Sequence, residues 1–128
     1  MYRIILLLFA SVLVACSTHA EDGTVVNVTE LIPDDQVFIF TLNGCPHCEE
    51  AKNYIKKKYP NLRVRYREIS NAENRKYFYA CGFKFGLNTK RLGAPLFCLG
   101  EHYILGWDDS DESRFDKYIE PFLDQYSK

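Results

Sequence analysis

One stretch decides the fold: Phe38-Ile39-Phe40-Thr41-Leu42-Asn43-Gly44-Cys45-Pro46-His47-Cys48. It begins with an apolar, aromatic run, and Asn43-Gly44 is a typical turn, so we predict a buried strand that ends in a tight turn. Pro46 suits the first turn of a helix, where the missing proline N–H costs nothing. The sequence therefore predicts Cys45 at the N-terminus of a helix and Cys48 about one turn further in.

The predicted positions of the two cysteines give them different chemical roles. Unpaired N–H groups and the positive end of the helix dipole stabilise an anion at Cys45, so its thiolate should form readily. Cys48 would lie against the helix as the resolving thiol. His47, as a hydrogen-bond donor or a cation, would favour the Cys45 thiolate further and make the disulfide more oxidising. The solvated carboxylates of Glu49 and Glu50 would oppose this only weakly.

Metal binding is the alternative role for these two cysteines. Soft thiolates bind copper(I) and zinc, and zinc usually takes four ligands. The three other cysteines, Cys16, Cys81 and Cys98, form no second Cys-x-x-Cys that could supply the missing ligands. A Cys-x-x-Cys between a strand and a helix is typical of a redox site, so we predict no bound metal or cofactor.

Length and composition indicate one globular domain with an extension. A chain of 128 residues is too short for two ordinary domains. Hydrophobic residues make up 47% of it, which is enough for a core and argues against disorder. The net charge of -1 means that basic residues are matched by acidic ones, so we expect no nucleic-acid partner. We expect the domain to act as a monomer.

Residues 1–15 have the form of an export signal. Arg3 supplies a positive charge, the apolar run from Ile4 to Val14 is too short to span a bilayer, and small residues follow. We therefore predict that residues 1–15 are a signal peptide. Export would bring the cysteines into an oxidising compartment, where a Cys-x-x-Cys protein can exchange disulfides with secreted proteins.

Two cleavage sites compete at the end of this signal. Thr18-His19-Ala20 has small residues spaced for ordinary signal peptidase, whereas Leu13-Val14-Ala15-Cys16 resembles a bacterial lipobox. The cysteine of a lipobox is lipidated and becomes the new N-terminus, so we favour Cys16 as a lipid anchor in the periplasm of a bacterial cell envelope. Ser17 is not the aspartate that retains many lipoproteins in the inner membrane, and this favours the outer membrane.

The rest of the chain divides into a linker and a domain. Residues 16–33 are polar at first and lack helical periodicity, so we predict a flexible tether in front of a domain of residues 34–128. Hydrophobic patterns in the domain predict the order strand, helix, strand, helix, hairpin, helix. This order is typical of an α/β fold, with the Cys-x-x-Cys directly after the first strand.

Local signals predict where two of the helices begin and end. The segment Ser70-Asn71-Ala72-Glu73 is a capping box, so the second helix should start there. Gly82 and Gly86 should end or break it. The last helix carries an apolar stripe that includes Phe115 and Phe122, and Pro121 should bend or split that helix.

From about Val37 to Leu123 the chain resembles a glutaredoxin of the thioredoxin superfamily. The resemblance implies a thioredoxin/glutaredoxin fold, a four-stranded mixed sheet flanked by helices, and the activity of a thiol-disulfide oxidoreductase. The residues that carry it are the apolar strand with Asn43-Gly44-Cys45-Pro46-His47-Cys48 and Ala51-Lys52, and then Tyr66-Arg67-Glu68-Ile69, Ala94-Pro95-Leu96-Phe97 and Gly106-Trp107-Asp108-Asp109.

The resemblance also implies roles for individual residues. Cys45 matches the family's nucleophile and Cys48 its resolving cysteine. Pro95 matches a proline that follows a cis peptide bond, and the backbone of Ala94 would pair with a substrate peptide or glutathione as an added strand. The turn that contacts glutathione in the family corresponds to Gly106, Trp107 and Asp108. A core position is the alternative for Trp107.

Departures from the family pattern favour protein substrates. Glutaredoxins usually have Pro-Tyr between the cysteines, whereas this chain has Pro46-His47, a dipeptide of periplasmic disulfide-donor enzymes in the superfamily. Leu105 replaces a glycine of the turn and should hinder glutathione binding. We therefore predict an exported enzyme that exchanges disulfides with proteins and depends on a membrane or periplasmic redox partner, with glutathione as a candidate co-substrate. The direction of exchange stays open.

Cys81 and Cys98 fall on a predicted helix and a predicted strand. Buried cysteines commonly act as small hydrophobic residues, and this is the interpretation we favour. A structural disulfide is the alternative in an oxidising compartment, but it requires a Cα separation that the sequence does not provide.

Overall fold

A four-stranded sheet with helices packed on both faces forms the domain in the computed structural model, which describes residues 27–126. The helices are α1 (Val28–Leu31), α2 (Pro46–Lys58), α3 (Ala72–Lys84) and α4 (Asp111–Leu123). The strands are β1 (Val37–Thr41), β2 (Val64–Glu68), β3 (Leu96–Leu99) and β4 (His102–Leu105). Short 3-10 helices lie at Thr89–Arg91 and Asp124–Tyr126.

The sheet is mixed, as the resemblance implied, and its strand order is β2-β1-β3-β4. β1 is parallel to β2 and antiparallel to β3, while β3 and β4 form a hairpin. Because Phe40 near the end of β1 pairs with Leu96 at the start of β3, the turn after β1 and the loop before β3 lie at the same end of the sheet. This end holds the two cysteines.

Alternating residues of the strands divide the core between the two faces of the sheet. Ile39 and Phe97 point to one face and pack with Ala51 of α2 and Phe115 of α4. The opposite face packs against α1 and α3. All five residues of β1 are buried, as expected for a central strand covered on both faces.

The ordered domain begins earlier than the sequence predicts. Residues 28–31 of the predicted tether form α1, capped by the Asn27 side chain, and Ile32 is almost fully buried. The side chain of Lys84 in α3 donates to the Ile32 carbonyl oxygen at 3.2 Å. The described domain therefore begins before the predicted boundary at residue 33. The sequence did not predict α1 because four residues are too few to show helical periodicity. The predicted signal peptide and Cys16 lie outside the described residues.

Two predictions about α3 need correction. Asn71, not Ser70, caps this helix, because the Asn71 side chain accepts from the backbone N–H groups of Glu73 and Asn74. The helix also runs through Gly82 and ends just before Gly86, whose φ of 64° is the left-handed conformation that glycine adopts freely.

Pro121 does not split the last helix. α4 continues through it to Leu123, so the prediction of a break is wrong. Pro121 removes one helical hydrogen bond near the end of α4, and the buried rings of Phe115 and Phe122 hold both ends of the helix on the core. None of the helices within residues 27–126 is both long and apolar enough to cross a bilayer.

Candidate active site

Cys45 is the N-cap of α2, in the position that the sequence predicts. Its Sγ accepts a hydrogen bond from the backbone N–H of Cys48 at 3.3 Å and lies 3.7 Å from the carbonyl oxygen of Ala94. The thiol is partly exposed, so a substrate sulfur can reach it. The helix N-terminus and the donated N–H both stabilise negative charge on this sulfur, which prepares Cys45 to act as a nucleophile.

The turn before Cys45 is held in place by Glu68, a residue that the sequence analysis did not single out as functional. The Glu68 carboxylate accepts from the backbone N–H of Asn43 at 3.4 Å and also bonds Ser70. Hydrogen bonds from the Ser70 hydroxyl and N–H lower the pKa of Glu68, so it stays an acceptor at neutral pH. Its place at the end of β2, the strand parallel to β1, is the signal that could have identified it.

Cys48 differs from Cys45 because it is fully buried. Burial, together with the hydrogen bond to Cys45, raises the pKa of Cys48 to about 11. Cys48 is therefore a protonated thiol at neutral pH, which suits the predicted role of a resolving cysteine. The structure brings both thiols to the same turn of α2, one at the surface and one beneath it.

The predicted cis-proline loop lies beside Cys45. The Ala94–Pro95 peptide bond is cis, as the resemblance implied. The carbonyl oxygen of Pro95 accepts from the backbone N–H of Gly106 at 2.8 Å, so the loop is tied to the turn after β4. Ala94 thus presents its backbone at the edge of the site, next to the attacking sulfur.

His47 lies on the exposed side of the same helical turn. Its Nδ1 is 3.4 Å from a carboxylate oxygen of Glu50, and both side chains are more than half exposed. An ion pair this exposed is worth little free energy. Glu49 pairs with Lys52 in the same way.

The turn after β4 uses its polar groups internally. The Asp108 carboxylate accepts from the N–H and hydroxyl of Ser110, and these bonds hold the pKa of Asp108 below its usual value. The backbone N–H of Asp108 donates to the buried carboxylate of Asp111 at 2.9 Å. Arg114 also bonds Asp111. These bonds fix the start of α4 and occupy groups that the resemblance assigned to glutathione.

The positions of Trp107 and Leu105 differ from those that the resemblance implied. Trp107 is only 6% exposed and its ring packs on Phe97 and Phe115 in the core, so its assignment as a substrate contact is corrected to a core residue. Leu105 is the last residue of β4, and its φ is not positive, so it needs no glycine-like conformation; its side chain is exposed. The residue with a left-handed backbone conformation is Gly106, with φ of 86°.

Cys81 and Cys98 form a disulfide, with a Cα–Cα separation of 6.2 Å. The interpretation of two free, buried cysteines is therefore wrong. The bond joins α3 to β3, and both residues are fully buried. Within residues 27–126, no group of three or more His, Cys, Asp or Glu side chains is placed to hold a metal ion.

A partly exposed thiol at a helix N-terminus, a buried thiol one turn inside and an adjacent cis-proline loop can pass a disulfide between molecules. The fold and this site define a thiol-disulfide oxidoreductase with the thioredoxin fold. Glutaredoxin 1 of Rickettsia bellii (strain RML369-C) is 34% identical over 88 residues, which cover 66% of this chain and 86% of that protein. The chain belongs to the glutaredoxin family.

A solved structure supports the same fold. The crystal structure of oxidized glutaredoxin 2 from Chlamydomonas reinhardtii matches with a TM-score of 0.51 and 19% sequence identity, over 77% of this chain and 91% of that one. No profile of a known protein family matches the sequence.

Proposed function

We propose that this glutaredoxin-family protein is exported and exchanges disulfides with proteins through Cys45 and Cys48. The observation that carries the proposal is the position of Cys45, partly exposed and 3.7 Å from the backbone of Ala94. An extended peptide that pairs with this backbone as an added strand would bring its own sulfur to Cys45. Protein substrates can supply such a strand at either side of a cysteine.

The chemistry follows from the different environments of the two thiols. The Cys45 thiolate attacks one sulfur of a substrate disulfide, forms a mixed disulfide and releases the other sulfur as a thiolate. Cys48 then loses its proton and attacks Cys45 Sγ, which releases the second substrate thiolate. The substrate disulfide gains two electrons, and the Cys45–Cys48 dithiol loses them. The reverse sequence oxidises a substrate dithiol.

Cys48 becomes more reactive once the mixed disulfide exists. Burial is the main cause of its raised pKa, and the hydrogen bond and charge of Cys45 raise it further. In the mixed disulfide Cys45 has no charge to repel the Cys48 thiolate, so these two contributions disappear. Burial then still raises the pKa of Cys48, while the backbone at Leu42 and the charge of Lys52 lower it. The resolving step is therefore favoured after, and not before, the attack by Cys45.

The turn after β4 supports a preference for proteins over glutathione. The N–H of Asp108 is already bonded to Asp111, and the Asp108 carboxylate is already bonded to Ser110. Glutathione would have to displace the Asp111 carboxylate to reach the Asp108 N–H, whereas a peptide strand needs only the backbone at Ala94. The Asp111 carboxylate is buried, so the loss of this donor would cost free energy.

The export part of the proposal is supported by the sequence of residues 1–16 and by the second disulfide. Disulfides persist in oxidising compartments, and Cys81–Cys98 is a bond outside the active pair. We place the protein in the periplasm of a bacterial cell envelope, held by lipidated Cys16, with the outer membrane favoured by Ser17. A membrane or periplasmic redox partner would regenerate the Cys45–Cys48 pair.

Trapping tests the proposal. A Cys48→Ser variant, produced with its own signal in a bacterial host, should accumulate mixed disulfides between Cys45 and exported proteins, because the resolving thiol is missing. The adducts are separated on non-reducing gels and identified by mass spectrometry. A Cys45→Ser/Cys48→Ser variant is the control, since it keeps Cys81 and Cys98. Equal adducts in both variants, or glutathione as the sole adduct, would contradict the proposal.

A further inference from the structure

One turn of α3 holds both sides of the loop that faces Cys45. Leu92 lies three residues before Pro95, and Cys98 lies three residues after it. On α3, Gly82 lies under Leu92, and its neighbour Cys81 forms the disulfide with Cys98. Two consecutive residues of one helix therefore fix both flanks of the loop.

The contact on the first flank is close and is made against a glycine of the helix. A Cβ at Gly82 would lie 2.6 Å from Leu92 Cδ1, so the leucine side chain packs directly on the helix backbone. Leu92 is half-buried and joins the apolar cluster that contains Cys81 and Cys98. Glycine is unfavourable inside a helix by roughly 1 kcal/mol, which makes its presence here consistent with a need for this close approach.

The contact on the second flank is covalent. The Cys81–Cys98 disulfide anchors β3 to α3, and both cysteines are fully buried. Only Gly93 and Ala94 lie between Leu92 and Pro95, so the loop has little freedom once both flanks are fixed. Ala94 O is 3.7 Å from Cys45 Sγ, and a small movement of the loop would change the path of an incoming peptide.

We propose that Leu92, Gly82 and the Cys81–Cys98 disulfide are positioning residues that set the Ala94 backbone at the distance and angle needed by peptide substrates. They act through the loop and do not touch the reacting sulfurs. The inference rests on the proposed function, because it assumes that a peptide pairs with the loop. A substrate without a peptide backbone would be insensitive to these residues.

Two probes that share one leaving group separate peptide positioning from the intrinsic reactivity of Cys45. The first is a synthetic peptide whose single cysteine is joined to 5-thio-2-nitrobenzoate, and the second is cysteamine joined to the same group. Reduced protein releases the coloured thiolate from each probe, and stopped-flow absorbance gives two second-order rate constants. Their ratio, peptide over cysteamine, measures peptide positioning independently of the reactivity of Cys45.

The wild-type ratio should be at least about ten, because peptide pairing orients the reacting sulfur. In Leu92→Ala and in Cys81→Ala/Cys98→Ala the ratio should fall about fivefold or more, because small misplacements near reacting atoms have large effects on rate. Leu92→Met, which keeps the contact with the helix, should retain the wild-type ratio. Leu31→Ala is the matched control, since Leu31 is a half-buried leucine of the same cluster that does not flank the loop.

The outcomes distinguish the two proposals. A wild-type ratio near one would overturn the proposed peptide pairing and the positioning role with it. A high wild-type ratio that Leu92→Ala leaves unchanged would overturn the positioning role alone. An equal fall in Leu31→Ala would show that general destabilisation is the cause and would also overturn it. If the double cysteine variant fails to fold, Leu92→Ala and Leu92→Met decide the question.

Discussion

The backbone N–H of Cys48 donates to the Sγ of Cys45 at 3.3 Å, so the resolving residue stabilises the thiolate of the attacking one. Cys48 itself is buried, and its pKa is raised to about 11. At pH 8 about one Cys48 in a thousand would be a thiolate, and thiolates are the reactive species. The two cysteines should therefore differ strongly in reactivity.

With iodoacetamide at pH 6, Cys45 should be alkylated at least about 100 times faster than Cys48, as peptide mapping by mass spectrometry would show. Cys48 in a Cys45→Ser variant loses the part of its pKa shift that comes from Cys45 but stays buried, so it should still react slowly at pH 6. Equal alkylation rates for the two thiols at pH 6 would contradict the inference that the helix N-terminus stabilises the Cys45 thiolate.

Replacement of His47 should make the disulfide less oxidising. A donor or cation in the first turn of α2 favours the Cys45 thiolate and hence the reduced form. Because the imidazole is exposed and pairs with Glu50, its effect should be small. We expect His47→Tyr to lower the reduction potential by no more than about 30 mV, which is a tenfold change in the equilibrium constant with glutathione. Equilibration with glutathione measures this. An unchanged potential would show that the dipeptide Pro46-His47 does not set it.

Glutathione should be a poor substrate. Reduction of a small glutathione mixed disulfide by the wild-type protein should be slow compared with an ordinary glutaredoxin, because the backbone N–H of Asp108 is already bonded to Asp111. Leu105→Gly removes an exposed side chain beside that turn and should raise the rate by no more than about tenfold. Rapid turnover by the wild type would contradict the preference for proteins but not the chemistry of Cys45.

Asp116 should make a pH-dependent contribution to stability. It accepts hydrogen bonds from the hydroxyls of Tyr54 and Tyr59 and from Lys58, and so joins α2 to α4. Burial alone would raise the pKa of Asp116, but these bonds outweigh burial and lower it. A lowered pKa gives stability that is present above the unfolded pKa near 4 and is lost as the pH falls through the folded pKa.

Asp116→Asn should therefore lower the free energy of unfolding by about 1–3 kcal/mol at pH 7. The difference in unfolding free energy between the variant and the wild type should shrink as the pH falls below 4, because the wild-type Asp116 carboxyl also becomes neutral. Urea titrations at pH 7 and pH 3 measure both values. Asp109→Asn, an exposed position, serves as the control, and a difference that grows at low pH would contradict the assigned sign.

Lipidation of Cys16 predicts where the mature protein is found. The natural protein should partition with membranes, and Cys16→Ala should either stay unprocessed or appear as a soluble protein. Cell fractionation and mass spectrometry of the N-terminus distinguish these states. A soluble natural protein that begins at Glu21 would instead identify Thr18-His19-Ala20 as the cleavage site.

The strand, turn and helix around Cys45 could be predicted because each depends on neighbours in sequence: an apolar run, Asn43-Gly44 and a proline at the helix start. The pairing of Cys81 with Cys98 could not, because it depends on a distance across the fold. Trp107 was misplaced for a related reason. An aromatic residue in a turn can face solvent or core, and only the packing of Phe97 decides between them.

The packing of α1 limits how far the active site can travel. Ile32 is buried, so the chain is fixed to the domain from α1 onward. If Cys16 holds the lipid, roughly a dozen residues link the bilayer to the domain, and a fully extended chain of that length spans about 40 Å. The near side of the domain would then stay within that distance of the membrane. Cys45 would meet proteins as they emerge at or fold beside this surface, and would seldom meet those that diffuse elsewhere in the compartment.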